Sequence, residues 1–358
     1  MQSPNAWQLT SDIARELPHA SYHRPHMPRT LNDSWQLAHL HVPNRVVLAP
    51  LAGIGNWFVR LQAKRYGAGM VVSEMVSSFG VHHGNEKTTT EMLRIEPAER
   101  AGGPVAIQLF GQEPDVMRSA AATVARDTEA DFIDLNMGCP VPKVCKTGAG
   151  AALIDDPDLA VAVAIAAREG SGLPVTVKLR SGRRTGARDG FDLAHRLVDE
   201  AGVAAIGFHP RSAQVHHKGS PDLELARELV QTLGAPVILS GGMNDPASIA
   251  HAFHHTGCEA VMLARGALGN PWLFARLLGT REEEPTTAEV LAELEWVMQR
   301  AVEHMGERRA GRYLRKFYPW YVDRIGGSKA LQGALQATDT IDEARAVLAA
   351  VDVASIAA

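Results

Sequence analysis

The chain has 358 residues, of which 46% are hydrophobic and 21% charged, a composition typical of a globular protein with a large apolar core. No apolar run approaches the ~18 residues of a membrane helix, no signal peptide is recognisable, and three cysteines do not make a disulfide framework, so we expect a cytoplasmic protein that does not enter a membrane. The formal net charge of −4 argues against nonspecific coating of nucleic acid but allows a local basic face, and the cysteine and histidine spacings match no metal site.

Residues 1–36 form an N-terminal extension of uncertain order, with several prolines and no regular period. From residue 45 onward, a short β-branched run, a polar or glycine-rich loop and a helix-like stretch recur. The runs predict eight strands: Val46–Ala49, Met70–Glu74, Val105–Leu109, Phe132–Asn136, Val175–Leu179, Ala205–His209, Val237–Ser240 and Ala260–Ala264. The stretches between several of them predict helices: Asp115–Thr128, Asp158–Arg168, Leu193–Ala201 and Leu223–Leu233. This order predicts an α/β fold, the (β/α)8 TIM barrel, and disfavours a six-stranded dinucleotide fold because no G-x-G-x-x-G follows the first strand.

The composition changes at Glu282–Pro285, beyond which helical patterns dominate. They predict the helices Thr287–Val302, Arg308–Ile325 and Ile341–Val351. We therefore expect three parts: an extension over residues 1–36, a TIM-barrel catalytic domain over 37–284 and a small C-terminal all-helical domain over 285–358.

Barrel enzymes carry their active sites on the loops at the C-terminal ends of the strands. Seven of the eight predicted strands end in polar or glycine-rich segments. The fourth predicted strand runs directly into Asn136 and a loop that displays Cys139 between Gly138 and Pro140. Such a loop indicates chemistry at the thiol, although a turn that happens to hold a free thiol is the plain alternative.

Glycines at the ends of the seventh and eighth predicted strands indicate an anion site. Gly241, Gly242 and Gly266 allow backbone N–H groups to approach a phosphate, and Arg265 adds a planar donor. With Gln108, Lys178 and His209 around the barrel mouth, the set suits a phosphorylated planar cofactor such as flavin mononucleotide (FMN).

In chain order, these segments resemble the tRNA-dihydrouridine synthases. The likeness extends from about residue 46 to 274, and its most specific part is N-M-G-C-P at 136–140, alongside A-P-L-A-G at 49–53, Q-L-F-G at 108–111 and V-K-L-R at 177–180. The resemblance implies reduction of a uridine in tRNA by a tightly bound FMN, with NADPH as electron source. It implies that Gln108 and Lys178 bind the flavin ring, that His209 lies nearby and that Cys139 donates a proton. The remaining cofactor-binding residues that we expect are Pro50, Leu51 and Ala52 against the flavin, with Ser240, Gly241, Gly242, Ala264 and Arg265 at the phosphate.

Several positions depart from the family pattern. Ser240–Gly242 replaces a frequent Asn-Gly-Asp and Ala264 replaces a frequent Gly, which concerns the fine detail of flavin binding. Ile54–Trp57 replaces a Thr/Asp-containing segment, and Phe317 replaces a frequent His, which concerns RNA contacts. The thiol loop is intact.

Reduction of the C5=C6 bond of uracil needs a hydride at C6, from flavin N5, and a proton at C5. A thiol with a reference pKa of about 8.5 is largely protonated at neutral pH, so we expect Cys139 to act as a general acid. For Asn136 two roles are open: a hydrogen bond to uracil or cofactor, and a structural role at the strand end.

A basic stretch near the C-terminus predicts a surface for tRNA phosphates. Seven Lys and Arg residues lie between Arg308 and Lys329, opposed in sequence only by Asp323. We expect Arg315 and Lys316 to contact tRNA from this stretch, and Asn136, Lys143 and Arg211 to contact it at the mouth. The protein is expected to be a monomer.

Two other functions share many of these features. A flavin barrel that acts on a free pyrimidine would have the same site without the basic helices, and a tRNA-binding barrel without catalysis would have lost the flavin. The basic stretch disfavours the first, and the retained Cys139, Lys178 and Arg265 disfavour the second.

Overall fold

The computed structural model describes residues 29–350 of the chain. Eight parallel strands close into a barrel in the order β3 to β10, and a two-stranded antiparallel hairpin, β1 and β2, precedes it. The strands are β1 Trp35–Leu37, β2 Leu40–Val42, β3 Val46–Leu48, β4 Met70–Ser77, β5 Val105–Phe110, β6 Phe132–Met137, β7 Val175–Arg180, β8 Ala205–His209, β9 Val237–Ser240 and β10 Ala260–Leu263. All eight strands predicted for a TIM barrel are present, and the fold prediction is confirmed.

The α-helices alternate with the strands of the barrel and then follow one another to the C-terminal end of the described chain. They are α1 Trp57–Arg65, α2 Ser78–His82, α3 Pro97–Arg100, α4 Pro114–Asp127, α5 Pro142–Cys145, α6 Pro157–Ser171, α7 Asp189–Asp199, α8 Leu223–Thr232, α9 Pro246–Thr256, α10 Trp272–Leu277, α11 Thr287–Met305, α12 Glu307–Leu314, α13 Tyr318–Arg324, α14 Lys329–Ala337 and α15 Ile341–Ala349. Three tighter or wider turns lie between them: a π-helical turn at Thr88–Met92 and 3₁₀ turns at Gly150–Asp155 and Arg265–Ala267.

The barrel strands are buried on both faces, as parallel strands covered by helices must be. Alternate residues point inward, and at the N-terminal end of the barrel they are apolar, for example Ala106, Phe132 and Ala205. Trp35 and Leu37 of the hairpin join this cluster and close the N-terminal end. Further along several strands the inward positions become polar, as at Gln108, Asp134 and Lys178, which places these side chains toward the C-terminal mouth.

The C-terminal helices continue the core that surrounds the barrel. Glu293 of α11 accepts a hydrogen bond of 2.8 Å from Nε2 of Gln62 on α1 and another of 2.8 Å from the hydroxyl of Tyr66. Nε2 of Gln62 also donates to the hydroxyl of Tyr321 on α13 at 3.0 Å. These buried contacts hold the helices against α1, beside the loop that follows β3.

Three details differ from the sequence prediction. The hairpin was not predicted, and its first strand includes Trp35, which lay in the proposed extension; residues 1–28 of that extension fall outside the described chain. The helix predicted over Arg308–Ile325 is two helices, α12 and α13, because Pro319 lacks the N–H that a continuous helix needs and lies in the first turn of α13. Helix α14 was also not predicted, nor were several helices of the barrel, among them α1, α9 and α10. Within residues 29–350, no helix combines the length and the apolar character needed to cross a membrane.

Candidate active site at the barrel mouth

A chain of side-chain hydrogen bonds crosses the mouth from β7 to the loop that follows β6. Oγ1 of Thr176 donates to Oδ1 of Asp134 at 2.5 Å, and Nε2 of Gln108 donates to Oδ2 of the same carboxylate at 2.6 Å. Oε1 of Gln108 accepts from Nδ2 of Asn136 at 2.9 Å. Oδ1 of Asn136 accepts from the backbone N–H of Cys139 at 2.9 Å.

Asn136 has no free oxygen lone pair for a ligand in this arrangement. Its Oδ1 accepts from the N–H of Gly138 at 3.3 Å as well as from Cys139, and its Nδ2 contacts Gln108 and the sulfur of Met75. An amide side chain offers two donors and two acceptor lone pairs. All are occupied within the protein, which favours the structural role that the sequence left open for Asn136.

The thiol loop is held from three sides. Nε of Arg180 donates to the carbonyl oxygen of Gly138 at 2.9 Å, and the carbonyl oxygen of Cys139 accepts from the N–H of Ala151 at 3.0 Å and from the thiol of Cys145 at 3.3 Å. Burial raises the pKa of the half-buried Cys139 thiol above its usual value. Within residues 29–350, no histidine is hydrogen-bonded to Cys139, so the site lacks the base of a nucleophilic cysteine.

Lys178 faces the mouth from β7. Its Nζ donates to Oγ of Ser240 at 3.2 Å, and that hydroxyl donates to the carbonyl oxygen of Phe208 at 3.3 Å. Burial, with the nearby Arg180 guanidinium, lowers the pKa of Lys178 to about 8. The ammonium therefore stays protonated at neutral pH but is easily neutralised above it.

His209, Arg211 and Gly241 form one corner of the mouth. Nη1 of Arg211 donates to Nε2 of His209 at 3.1 Å, and burial with the surrounding cations holds the pKa of His209 far below its usual value. The backbone of Gly241 has φ +99°, and a Cβ there would lie 2.3 Å from Cδ2 of His209. Only glycine fits this position, so the backbone of the β9 loop approaches the imidazole directly.

This corner fits an anionic group. Nε of Arg211 and Oγ of Ser212 are buried and find no hydrogen-bond partner within residues 29–350. Besides burial, Lys178 and Arg180 lower the pKa of His209. Arg265 lowers the pKa of Arg211 and, with Arg180, that of His217. Such shifts are expected where positive charges lie close together. A phosphate and a planar polar ring would satisfy these groups.

The remaining predicted cofactor residues lie at the ends of neighbouring strands, β3 and β10. Leu51 is buried, Pro50 is partly buried and Ala52 is exposed. Ala264 precedes the 3₁₀ turn that carries the exposed Arg265. Gly242 has φ +77° and faces Pro221 in the loop after β8. The structure brings the predicted set to one end of the barrel.

The two side chains of the C-terminal helices that were predicted to contact RNA, Arg315 and Lys316, make hydrogen bonds within the protein. Arg315 donates to Oδ1 of Asp339 at 2.6 Å and to the carbonyl oxygen of Thr338 at 2.8 Å. Nζ of Lys316 donates to the carbonyl oxygen of Gly53 at 2.7 Å and lies 4.2 Å from the ring centre of Tyr313. The basic stretch is largely occupied by such internal contacts, and its other ion pairs are Arg309–Glu91, Arg312–Asp339 and Arg324–Glu284.

A cavity of about 450 Å³ adjoins the mouth, between the loop after β3, the π-helical turn and helices α11 and α12. Its lining carries both signs of charge, with Glu74 and Glu91 facing Lys87, Arg309 and Lys316. Cys139 and Lys178 are not among the residues that line this cavity.

The sequence analysis missed Asp134, Thr176 and Arg180. Asp134 and Asn136 are two residues apart on β6, and Thr176, Lys178 and Arg180 alternate along β7. In a strand, every second side chain points to the same face. Asp134 therefore shares the face of Asn136, and Thr176 and Arg180 share that of Lys178. That signal was available in the sequence.

Comparison with known proteins agrees with this site. A family model described as dihydrouridine synthase (Dus) matches residues 47–356. A tRNA-dihydrouridine synthase B of Xanthomonas axonopodis pv. citri is 32% identical over 314 residues, covering 86% of this chain and 92% of the relative. A probable tRNA-dihydrouridine synthase of Mycobacterium tuberculosis is 34% identical over 329 residues, covering 87% and 83%.

Among solved structures, morphinone reductase superposes with a TM-score of 0.52 at 18% identity, over 74% of this chain and 93% of that chain. This likeness concerns the fold alone. The family match spans the thiol loop, the barrel mouth and the C-terminal helices. The chain therefore belongs to the dihydrouridine synthase family.

Proposed function

We propose that this protein reduces the C5=C6 bond of a specific uridine in tRNA to 5,6-dihydrouridine, with bound FMN and with NADPH as the source of electrons. The observation that carries the proposal is the thiol of Cys139, fixed on a loop beside a cationic, glycine-lined corner of the barrel mouth. The family match and the names of the relatives support the substrate.

The residues that would hold FMN are those of the mouth. Gln108 and Lys178 offer N–H donors for the ring, and Arg265 with the backbone at Gly241 and Gly242 offers donors for the phosphate. When bound, FMN supplies the hydride that is added at C6. The ammonium of Lys178 would favour negative charge on the ring, one of the ways in which a protein tunes a flavin.

Cys139 would deliver the proton to C5. Its raised pKa keeps the thiol protonated at neutral pH, so no base is needed before the transfer. Asn136 and Arg180 would hold the loop backbone at Gly138 and Cys139 in place. We assign Asn136 this positioning role instead of a contact with uracil.

We place the tRNA backbone around the mouth instead of on the C-terminal basic stretch. The Lys and Arg side chains that make no hydrogen bond or ion pair within residues 29–350 are Lys87, Lys143, Lys146, Arg184, Lys218, Arg265 and Arg308. All but Arg308 lie on segments that follow barrel strands, at the end where the thiol loop lies. Unpaired cations attract a polyanion, whereas paired ones contribute little. Arg315 would instead hold the C-terminal helices to one another, and Lys316 would hold them to the loop after β3.

The test is the dihydrouridine content of unmodified tRNA, measured by mass spectrometry after incubation with the purified protein, FMN and NADPH. We expect a gain at one mapped position. A yellow protein that oxidises NADPH while leaving tRNA unchanged, but reduces a free pyrimidine, would instead identify the small-molecule enzyme.

A further inference from the structure

We propose that Asp134 is a positioning residue that sets the direction of the hydrogen-bond chain ending at Cys139. The inference rests on the proposed function for its role in the reaction, and on the geometry of the chain for its existence. The mechanism gives this buried carboxylate no other task.

The direction of the chain can be followed from the thiol loop. The backbone N–H groups of Gly138 and Cys139 can only donate, so the oxygen of Asn136 must face them. Its Nδ2 then points to Gln108, which must present its oxygen. Nε2 of Gln108 is thereby turned toward Asp134, which must accept.

Asp134 fixes this direction from the far end of the chain, as the backbone N–H groups fix it at the thiol loop. An ionised carboxylate has no donor, and both of its oxygens already accept, one from Gln108 and one from Thr176. A flipped Gln108 would set its oxygen against the carboxylate and its NH₂ against the NH₂ of Asn136. With an amide or hydroxyl in place of Asp134, the direction would be fixed from the thiol loop alone.

The arrangement has a consequence for the cofactor side of the mouth. Gln108 uses one hydrogen of Nε2 for Asp134, and the other donates to no atom of residues 29–350. The carboxylate therefore keeps Gln108 as a donor toward a ligand and never as an acceptor. An acceptor on the ligand, such as a flavin carbonyl, matches this polarity.

The surroundings of Asp134 keep the carboxylate ionised at neutral pH. Burial raises the pKa of Asp134 to about 6, while Thr176, Gln108 and Lys178 oppose the rise. Of these neighbours only Lys178 titrates, with a pKa of about 8. Protonation below pH about 6 would turn one accepting oxygen into a donor and break one link of the chain.

The experiment compares Asp134→Asn with Glu99→Gln in the full-length protein. Glu99 is an equally buried carboxylate, paired with Arg60 and outside the chain, so Glu99→Gln controls for loss of a buried charge. The first measurement is the rate of Cys139 alkylation by iodoacetamide, quantified on the Cys139 peptide by mass spectrometry, which needs neither flavin nor tRNA.

We expect Asp134→Asn to change the Cys139 alkylation rate about fivefold, the factor that one hydrogen bond is worth, and Glu99→Gln to leave it unchanged. For uridine reduction, we expect kcat to fall by a similar factor with little change in KM for tRNA. We also expect the wild-type kcat to decline as the pH falls below about 6, where Asp134 becomes protonated, and this decline to be absent in Asp134→Asn.

Equal alkylation rates and equal kcat in wild type and Asp134→Asn would overturn the proposal, as would identical losses in Glu99→Gln. If Asp134→Asn does not fold, Asp134→Ser takes its place, since it also removes the carboxylate that can only accept; wild-type alkylation in that variant would likewise overturn the proposal. If the wild type reduces no uridine, the proposed function fails, while the alkylation measurements still decide the role of Asp134.

Discussion

Lys178 on β7 reaches across β8 to donate a hydrogen bond of 3.2 Å from its Nζ to Oγ of Ser240 on β9. The strand between them carries Gly207, and a Cβ there would lie 3.4 Å from Cγ of Lys178. Gly207 therefore lies directly beside the lysine stem. Ser240, which departs from the family pattern, thus anchors the cation that we propose binds the flavin ring.

The pH dependence of flavin binding tests this placement. The pKa of Lys178 is lowered to about 8, so its positive charge is present below that value and is lost as the pH rises through it. We therefore expect the Kd for FMN to increase as the pH rises above about 8, measured by fluorescence titration. Lys178→Met should bind FMN weakly with no such step. A wild-type Kd that is flat across this range would contradict the assignment.

The same shift has a consequence for stability. Because the pKa of Lys178 in the folded protein lies below its ordinary value of 10.5, the charged form costs stability at neutral pH. The contribution of this group to the free energy of unfolding therefore becomes more favourable as the pH rises through about 8.

Cys139→Ala separates the two halves of the reaction. We expect uridine reduction to fall about 10²–10⁴-fold, the range for loss of a general acid, while NADPH still reduces the flavin. Stopped-flow absorbance of the flavin and mass spectrometry of the tRNA measure the two steps. Cys145→Ala is the matched control because it removes a neighbouring thiol that contacts the backbone of Cys139 and the side chain of Arg183. Unimpaired tRNA reduction by Cys139→Ala would exclude the acid role.

The salt dependence of tRNA binding tests where the phosphates lie. Each lost phosphate contact lowers the slope of log K against log salt by about 0.7–0.9. A variant neutralised at four unpaired mouth cations should therefore lose about 3 from the slope. The substitutions are Lys143→Gln, Lys146→Gln, Arg184→Gln and Lys218→Gln.

The control for this measurement removes the paired arginines of the C-terminal basic stretch together with the carboxylates that pair with them. It combines Arg309→Gln with Glu91→Gln, and both Arg312→Gln and Arg315→Gln with Asp339→Asn, so the net charge falls by one unit and not by four. We expect its slope to equal that of the wild type. A control slope that falls as far as that of the mouth variant would return the tRNA to the basic stretch.

Gly241→Ala tests the glycine-lined corner. A residue other than glycine at φ +99° is strained, and the added Cβ would lie 2.3 Å from His209, so we expect both a lower Tm and loss of FMN from the purified protein. Gly172→Ala is the control: its φ is +65° and no atom lies within 4 Å of the added Cβ. That variant should lose only the ~1–2 kcal/mol of backbone strain and keep its flavin. Normal FMN content in Gly241→Ala would disprove the close approach.

The sequence predicts those features that depend on local pattern. The eight strands follow from apolar runs, and the position of Cys139 follows from the rule that chemistry lies at strand ends. The hairpin at Trp35–Val42 was missed because strands of three residues carry too little periodicity. The division near residue 285 remains a proposal, since the hydrophobic core runs from the barrel into the C-terminal helices without interruption.

Contacts between distant residues lie beyond such a pattern. Arg309 and Arg315 look unopposed along the chain because their partners, Glu91 and Asp339, are remote in sequence. In the same way, the sequence around Asn136 does not show that its side-chain oxygen accepts hydrogen bonds from the backbone of its own loop. A run of like charges in a sequence therefore shows only which charged residues are present. Which of them are neutralised by a partner is known only from the fold.

The hairpin that closes the N-terminal end of the barrel also limits the routes by which reactants can enter the site. With Trp35, Leu37 and Val42 packed into the interior, residues 29–350 leave the mouth as the way to the polar inward side chains. Under the proposed function, nicotinamide and uracil would both reach the flavin through this opening. The two substrates would then have to bind one after the other.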